Sequence, residues 1–348
     1  MHSPLPIERF LAAGLPLIDV RSPAEYLKGH IPGATNVALF SDEERASVGT
    51  LYKQQGRDAA MLEGLRIAGP KLAWLVEQAR RIAPDGRIGV HCWRGGERSA
   101  SVAWLLRKAG FNEVATLERG YKAFREQVLA ALAKPWNLYV LGGYTGTGKT
   151  VILERLRELG EAVVNLEKLA RHKGSAFGGI GEEAQPSTEH FENLLWAALK
   201  ELGNSRPIWV EDESQMIGRA KIPDSFFAQI RSSPIWFVDM PLGQRAKQLV
   251  ETYGNYPADQ LAEAIKRIQK RLGPQHAKEA LEALAAGNLR RVAEIMLVYY
   301  DKTYARGLSG RNPERTRLVQ AKETTPIELA ERLKDERINA TNGTLDRI

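Results

Sequence analysis

The sequence predicts an α/β protein in which two successive parallel-sheet domains are followed by a C-terminal helical extension. Short Val- and Ile-rich runs alternate with helical stretches through the first third of the chain; Lys134 and Pro135 end that series and a fresh strand opens a second one; after Pro257 the pattern turns to long helices. Strands separated by helices form βαβ units, whose crossovers leave neighbouring strands parallel. A proline cannot extend the helix that precedes it, which places a domain boundary near residue 135. The expected domains are therefore 1–134, 135–256 and 257–348.

Taken in order, residues 16–20 (PLIDV), 34–38 (ATNVA), 87–91 (RIGVH) and 113–117 (EVATL) are short, rich in β-formers and bounded by Gly, Pro or Asn, as strands are. Helical periodicity covers 69–82, 99–109 and 121–133. In the second domain 137–141 (NLYVL), 162–166, 208–211 and 235–240 are strand candidates, the last two nearly continuous apolar runs suited to burial on both faces. Ser187, after Gln185 and Pro186, is placed to cap a helix. The last stretch runs helical to about Arg306, and the polar residues after about Glu336 are expected to fray.

Composition narrows the function classes. With 348 residues, 26% charged and 43% apolar, the chain is ordinary globular material, neither disordered nor fibrous. No window approaches the 18 or so apolar residues of a membrane span, and the N-terminus has no secretory pattern, so a cytoplasmic protein is expected. The single cysteine, Cys92, excludes an intramolecular disulfide or a cysteine-built zinc cage. The net charge is +7, and residues 260–320 carry 12 Lys and Arg against 6 Asp and Glu, so the excess is localised.

Cys92 follows the strand RIGVH and opens the loop CWRGGERS before an amphipathic helix. A thiol between the C-end of a parallel strand and a helix N-terminus sits where open α/β sheets bind ligands. A lone cysteine is more often a small buried hydrophobe, but packing has no use for its neighbours here. Arg94 and Arg98 and the helix dipole favour a thiolate, Gly95 and Gly96 let the loop amides converge on an anion, and Trp93 belongs to the same loop. Two chemistries fit: relay of a sulfur or selenium atom, or phosphate-ester hydrolysis with Arg98 gripping the oxygens, since His91, Cys92 and Arg98 also have cysteine-phosphatase spacing.

Residues 143–150, GYTGTGKT, satisfy the phosphate-loop pattern between a strand and a helix. Gly143, Gly146 and Gly148 allow amides, including those of Thr145 and Thr147, to point at phosphate oxygens; Lys149 supplies a charge and Thr150 is placed to ligate Mg²⁺. Phosphate binding follows from this pattern; ATP hydrolysis does not, and use of a metal stays open. Asp212, in the carboxylate run that ends 208–211, and Asp239, ending 235–240, are candidate Mg²⁺ partners or acidic turn residues. His172 and Lys173, within HKGSAFGG, mark either a phosphate-contacting loop or a flexible connection. Lys266, Arg267, Lys270 and Arg271 form a basic helical stripe, followed by Arg290 and Arg291; with Tyr299, Tyr300 and Tyr304 near Lys302 and Arg306 they suit an RNA loop, or else a solvated helix face over core tyrosines.

Residues 17–39, LIDVRSPAEYLKGHIPGATNVAL, resemble the opening of the rhodanese family: Asp19, Val20 and Arg21 at a strand end, then Glu25, Tyr26 and the run from Gly29 through His30 to Ala34. Asp19 and Arg21 equally suit an ion pair that braces the loop wall. Together HCWRGGERSASVAWLL, LGGYTGTGKT, HKGSAFGG, QPSTEHFEN and WVEDESQMIG resemble the tRNA 2-selenouridine synthase family over nearly the whole chain. The resemblance implies a rhodanese-like parallel-sheet domain, a P-loop α/β domain and a helical, tRNA-contacting C-terminal region. It implies replacement of the sulfur of wobble 2-thiouridine, in the anticodon region of tRNA, by selenium from selenophosphate, through S-geranylation with geranyl diphosphate. Cys92 would hold or relay selenium and residues 143–150 would bind phosphate. No tightly bound cofactor is implied, and an enzyme that makes selenophosphate is a fitting partner. On the residues alone, a cysteine phosphatase or a plain sulfurtransferase fused to a nucleotide-binding domain remains an alternative, as does a P-loop kinase whose first domain only binds partners.

Overall fold

Strands β1 (Leu17–Asp19), β2 (Thr35–Asn36), β3 (Arg87–His91) and β4 (Glu113–Thr116) lie parallel in the order β2-β1-β3-β4. They belong to the first of two compact units in this computed structural model, which describes residues 3–342: Met1–Ala131 with Glu192–Leu194, and Leu132–Phe191 with Leu195–Ile348. Strand β3 reads as a buried apolar run because every residue after Arg87 is buried. Its Ile88 and Val90 join Ile18, Val20, Leu75, Ala79, Val102 and Leu106 in one core, and Cys92 belongs to that core.

Helices α1 (Ile7–Ala12) and α2 (Pro23–Lys28) flank β1 in sequence, and α2 begins with a capping box of Ser22 and Glu25 and a proline at its start. Helices α3 (Asp42–Gln55) and α4 (Arg57–Ala68) are additions to the expected pattern. They bury only Ala60 and Ala68, so no apolar stripe announces them. The expected helices follow as α5 (Leu72–Ile82), α6 (Glu97–Lys108) and α7 (Gly120–Ala133).

In the second unit β5 (Leu138–Gly143), β6 (Ala162–Val164), β7 (Ile208–Glu211), β10 (Ile235–Asp239) and β11 (Thr316–Gln320) form a parallel sheet in the order β11-β10-β5-β7-β6, with β8 (Met216–Ile217) and β9 (Ala220–Lys221) as a small hairpin. The helices are α8 (Lys149–Glu158), α9 (Leu166–Ala170), α10 (Thr188–Leu202), α11 (Asp224–Ser232), α12 (Leu242–Tyr253), α13 (Ala258–Leu272), α14 (Pro274–Ala285), α15 (Leu289–Ser309) and α16 (Pro326–Asn342). Ser187 caps α10 by accepting a hydrogen bond from the His190 amide at 3.0 Å.

The last region differs from a purely helical extension. After α13, α14 and α15 the chain returns to the sheet as β11, pairing with β10 from Ile235 against Thr316 to Asp239 against Gln320. Helix α16 then packs Leu329, Ala330 and Leu333 into the sheet core with Leu153 and Leu156 of α8. It runs as far as Asn342, and the residues after it, part of the stretch expected to fray, lie outside the described residues. Among the described residues no helix is long and apolar enough to cross a membrane.

Candidate functional site

Residues after β3 form the cysteine loop, and its shape follows from two glycines. Gly95 has φ +64°, and a Cβ on it would lie 2.4 Å from the Leu117 carbonyl oxygen; Gly120 has φ +56°, and its Cβ would lie 2.3 Å from the Cys92 carbonyl oxygen. Any side chain at either position would force the loop off the turn that precedes α7. Gly96 is different: its φ is −97° and nothing stands within 4 Å of a Cβ there, so the expected demand for glycine applies to Gly95 alone of the pair. The Tyr121 and Lys122 amides donate to the Cys92 and Trp93 carbonyls at 2.8 and 3.0 Å.

Cys92 Sγ lies 3.2 Å from the Ser99 hydroxyl on the first turn of α6, and that hydroxyl also reaches the Gly96 carbonyl at 3.2 Å. Arg98 departs from its expected role. It donates to both oxygens of Glu25, at 2.6 and 3.2 Å, so its guanidinium is bound to a carboxylate rather than turned to an incoming oxyanion. Burial pushes the Glu25 carboxyl up, but the hydrogen bond and charge of Arg98, with help from the Ser22 amide and Arg45, hold it below the usual range. Arg94 is exposed, and Trp93 packs 5.7 Å from the Tyr121 ring.

Asp19 and Arg21 form the loop-wall brace. Both are fully buried, the guanidinium grips the carboxylate at 2.5 to 3.0 Å, donates to the Gly29 carbonyl at 2.7 Å and lies 3.8 Å from the Tyr121 ring. Burial pushes the Asp19 carboxyl up, yet neighbouring His91 and the bonds and charge of Arg21 outweigh it and keep the carboxyl below its ordinary value. His91 is wholly buried, and burial lowers its imidazole pKa. His30 stacks on Tyr26 at 3.8 Å, as a turn residue does.

In the second unit the phosphate loop joins β5 to α8. Its Gly143, Gly146 and Gly148 take φ +155°, +83° and +72°, a backbone that L side chains rarely adopt. Lys149 is nearly buried and its Nζ donates to the Gly143 carbonyl at 3.2 Å; the Thr147 hydroxyl donates to the Tyr144 carbonyl at 2.9 Å. Arg245 on α12 fastens the loop from outside, donating to the Thr145 carbonyl at 3.2 Å while paired with Asp301 of α15 at 2.7 and 2.9 Å.

The carboxylates beside Lys149 are other than those expected. Asp212 accepts hydrogen bonds from Arg311 and, at 3.5 Å, from Arg231; Asp239 accepts one from Gln320 of β11 at 3.0 Å. Both are thereby tied to the scaffold. The groups whose charges act on Lys149 are Glu167, Glu211 and Glu213. The Thr150 hydroxyl donates to Glu167 at 2.9 Å and the Leu166 amide to Glu211 at 2.8 Å. Burial, with Glu167 adding its charge, pushes the Glu211 carboxyl up to about 8, and burial likewise raises Glu213 and Glu167. Glu211 and Glu213 flank Asp212 in one strand end, whereas nothing in the sequence around Glu167 marks it as a partner of Thr150.

The His172 to Gly179 loop folds over these carboxylates. A Cβ on Gly174, at φ +65°, would lie 2.5 Å from Glu213 Oε2 and 3.0 Å from Glu167 Oε1. Lys173 pairs with Glu182 at 3.2 Å and sits 5.5 Å from the Tyr253 ring. Burial lowers the His172 imidazole pKa. The phosphate loop from Thr145 to Thr150, His172, Lys173, Asp212, Glu213, Arg267, Lys270, Arg271, Tyr299 and Tyr300 all line one cavity of 1370 Å³. Lys266, Arg290 and Arg291 do not; Arg290 pairs with Glu294 at 3.2 Å and Arg291 with Glu279 at 2.5 Å. Tyr300 accepts a hydrogen bond from the Ala176 amide at 3.0 Å, and burial pushes its hydroxyl up to about 12. The side chains of Tyr304 and Arg306 lie outside the described residues. Among the described residues no group of three or more His, Cys, Asp or Glu side chains is placed to hold a metal ion.

Comparison with known proteins adds a family. Residues 136–335 match the family described as "tRNA 2-selenouridine synthase AAA domain" and residues 7–127 that described as "Rhodanese-like domain". The chain is similar to proteins named tRNA 2-selenouridine synthase from Chromohalobacter salexigens, at 37% identity over 83% of this chain and 87% of the relative, and from Bdellovibrio bacteriovorus, at 33% over 88% and 92%. The relative of that name from Nitrosomonas europaea is 39% identical over 69% of this chain, a match spanning 64% of its own length.

Proposed function

Since the chain belongs to the tRNA 2-selenouridine synthase family, we propose that it exchanges the sulfur of wobble 2-thiouridine in tRNA for selenium, in the cytoplasm, by way of an S-geranylated nucleoside. In the first step the thiocarbonyl sulfur bonds to C1 of geranyl diphosphate, the C1–O bond breaks, diphosphate leaves and the N3 proton goes to solvent. In the second, the selenium of selenophosphate adds at C2, the C2–S bond breaks with geranylthiol departing, and hydrolysis of the Se–P bond releases phosphate. Alkylation turns a poor leaving group into a thiol, which is why the first step helps the second.

The observation that carries this reading is the meeting of the phosphate loop, Lys173 and the basic residues Arg267, Lys270 and Arg271 on one cavity, which suits a diphosphate and an RNA at the same place. At 1370 Å³ it exceeds the roughly 300–1,000 Å³ of ordinary small-ligand pockets, leaving room for an unstacked nucleoside beside the co-substrate. The phosphate loop takes the diphosphate and the cysteine loop takes selenophosphate, with Cys92 acting on the selenium step. A Mg²⁺ ion would find Thr150 and Glu167 as oxygen ligands and would neutralise the leaving diphosphate. Because Arg98 is paired with Glu25, a phosphoryl oxyanion at the cysteine loop would rely on the loop amides rather than on that guanidinium. Nucleoside mass analysis of tRNA from cells lacking the protein tests the proposal: selenouridine should be missing, restored by the wild type and not by Cys92→Ala. Retention of geranylated nucleoside in Cys92→Ala cells would mark two separate centres, and normal geranylation by Lys149→Ala would refute the assignment of the diphosphate.

A further inference from the structure

One continuous segment, residues 212–231, gives the cavity a wall to which no role has yet been assigned. It runs from the end of β7 through the β8–β9 hairpin into α11, and Gln215, Arg219, Phe227 and Arg231 on it all line the cavity. The hairpin tip is fixed from outside. Gln185 Nε2 donates to the Ile217 carbonyl at 3.0 Å and the Ala170 carbonyl at 2.9 Å, while Gln185 Oε1 accepts the Arg219 amide at 2.9 Å. Gly218, at φ +60°, lets that carboxamide lie against the turn, since a Cβ there would come 2.2 Å from Gln185 Oε1. The Thr188 hydroxyl accepts the Lys221 amide at 3.2 Å and reaches the Arg219 carbonyl at 3.4 Å. Such anchoring has no purpose for an arginine that is merely solvated. Arg219 is exposed and, among the described residues, meets no carboxylate, whereas Arg171 of the same cavity pairs with Glu183 at 3.0 Å. On α11, Phe227 and Arg231 are four residues apart and so share a face. Phe227 is half-buried, and among the described residues its ring meets no other ring or cation. Arg231 reaches Asp212 at 3.5 Å, a carboxylate that Arg311 also holds. An open aromatic ring and guanidinium groups on one wall match an unpaired base and its phosphates, where a purely ionic or purely apolar ligand would use only half of what is there.

We infer that residues 212–231 form a subsite for an unstacked RNA nucleotide neighbouring the one to be modified, its base stacked on Phe227 and its phosphates held by Arg219 and Arg231, and that Gln185 is the positioning residue for Arg219. The inference rests on the reading above that the target nucleoside of a tRNA enters this cavity. Its consequence is selection for an unpaired stretch, because a base stacked and paired within a duplex has no free face to offer Phe227. Loss of one stacked base weakens single-strand binding by roughly five- to 150-fold. Loss of one phosphate contact lowers the slope of log affinity against log salt by about 0.7. The two kinds of contact therefore leave different signatures.

Filter binding by the full-length protein across a salt series tests this with two probes, an anticodon stem-loop carrying 2-thiouridine and a fully paired RNA duplex of equal length. Phe227→Leu should weaken the stem-loop at least fivefold at an unchanged salt slope and leave the duplex as it was, and Phe227→Trp should retain stem-loop affinity. Arg219→Ala, at an exposed position where the fold is not at stake, should weaken the stem-loop and lower its salt slope by about 0.7. Gln185→Ala should reproduce that change in slope and add nothing when combined with Arg219→Ala, a coincidence that a merely structural role would not produce. Wild-type stem-loop affinity in Phe227→Leu, an equal loss on stem-loop and duplex, or an unchanged slope in Arg219→Ala overturns the subsite; a further loss from Gln185→Ala in the Arg219→Ala background overturns the positioning role. The failures are distinguishable. A wild type that binds neither RNA refutes the placing of tRNA in this cavity and the subsite with it, whereas a wild type that binds the stem-loop as tightly as its variants do removes the subsite alone.

Discussion

The Ser99 hydroxyl has one proton and two acceptors within reach, the Gly96 carbonyl and Cys92 Sγ, each at 3.2 Å. While the cysteine is a thiol, its S–H can donate to Ser99 and Ser99 to Gly96; once it ionises, the hydroxyl must turn to the sulfur, because an anion is the stronger acceptor. A hydrogen bond to a charged group contributes about 1.5–3 kcal/mol. Ser99→Ala should therefore slow alkylation of Cys92 by iodoacetamide at neutral pH by roughly tenfold or more, read from the rate of label incorporation; an unchanged rate would make Ser99 a packing residue only. Arg21 invites a stability experiment. Removing it leaves the Asp19 carboxylate buried and uncompensated, so Arg21→Met should cost about 3–5 kcal/mol in urea unfolding. Because the folded Asp19 carboxyl is held below its ordinary value, the brace contributes fully above the unfolded value near 3.8 and is lost as pH falls through the lower folded one. The wild type should lose this increment in acid, and Asp19→Asn combined with Arg21→Met should cost less than the two separate changes together.

Among the elements, β3 and β7 are legible in the sequence to the residue, since a run buried on both faces is mostly apolar, and only Arg87, His91 and Glu211 at their ends depart from that. Strand β11 is not, because as an edge strand it buries Val319 and leaves Leu318 exposed, a pattern hard to tell from a loop. The phosphate loop is legible because its backbone demands glycine. Gly148→Ala would place a Cβ at φ +72° and 2.9 Å from Pro326 Cγ, so the loop must shift, and diphosphate affinity should fall by tenfold or more in calorimetry. The carboxylate end of β7 yields a pH prediction. Glu211 keeps its proton in the fold up to about 8 and releases it near 4.5 when unfolded, so the folded state holds the extra proton and stability falls as pH rises between those values. The slope from one such group is about 1.4 kcal/mol per pH unit, and Glu211→Gln should flatten it when urea midpoints are compared at pH 5 and pH 8.

For the molecule as a whole, the excess charge divides into two kinds. Arg290 and Arg291 are held by Glu294 and Glu279, while Arg267, Lys270 and Arg271 line the cavity. Reversing the second kind, with Lys270→Glu and Arg271→Glu together, should weaken tRNA binding and reduce its dependence on salt, whereas the same exchange at Arg290 should do little; filter binding across a salt series reads both. By itself the sequence determined the two α/β series, the thiol at a strand end and the phosphate loop, because each depends on local rules of periodicity, glycine geometry and helix termini. Which charges are free and which are paired was decided only by tertiary structure. Arg98 meets Glu25 from 73 positions away, Asp212 meets Arg311 from 99, and Glu167 of α9 reaches Thr150 of α8 across the intervening strand β6. Hydrogen bonds of that range leave no spacing in the chain to read, since the partners are brought together by packing of elements whose own signals concern only their apolar faces.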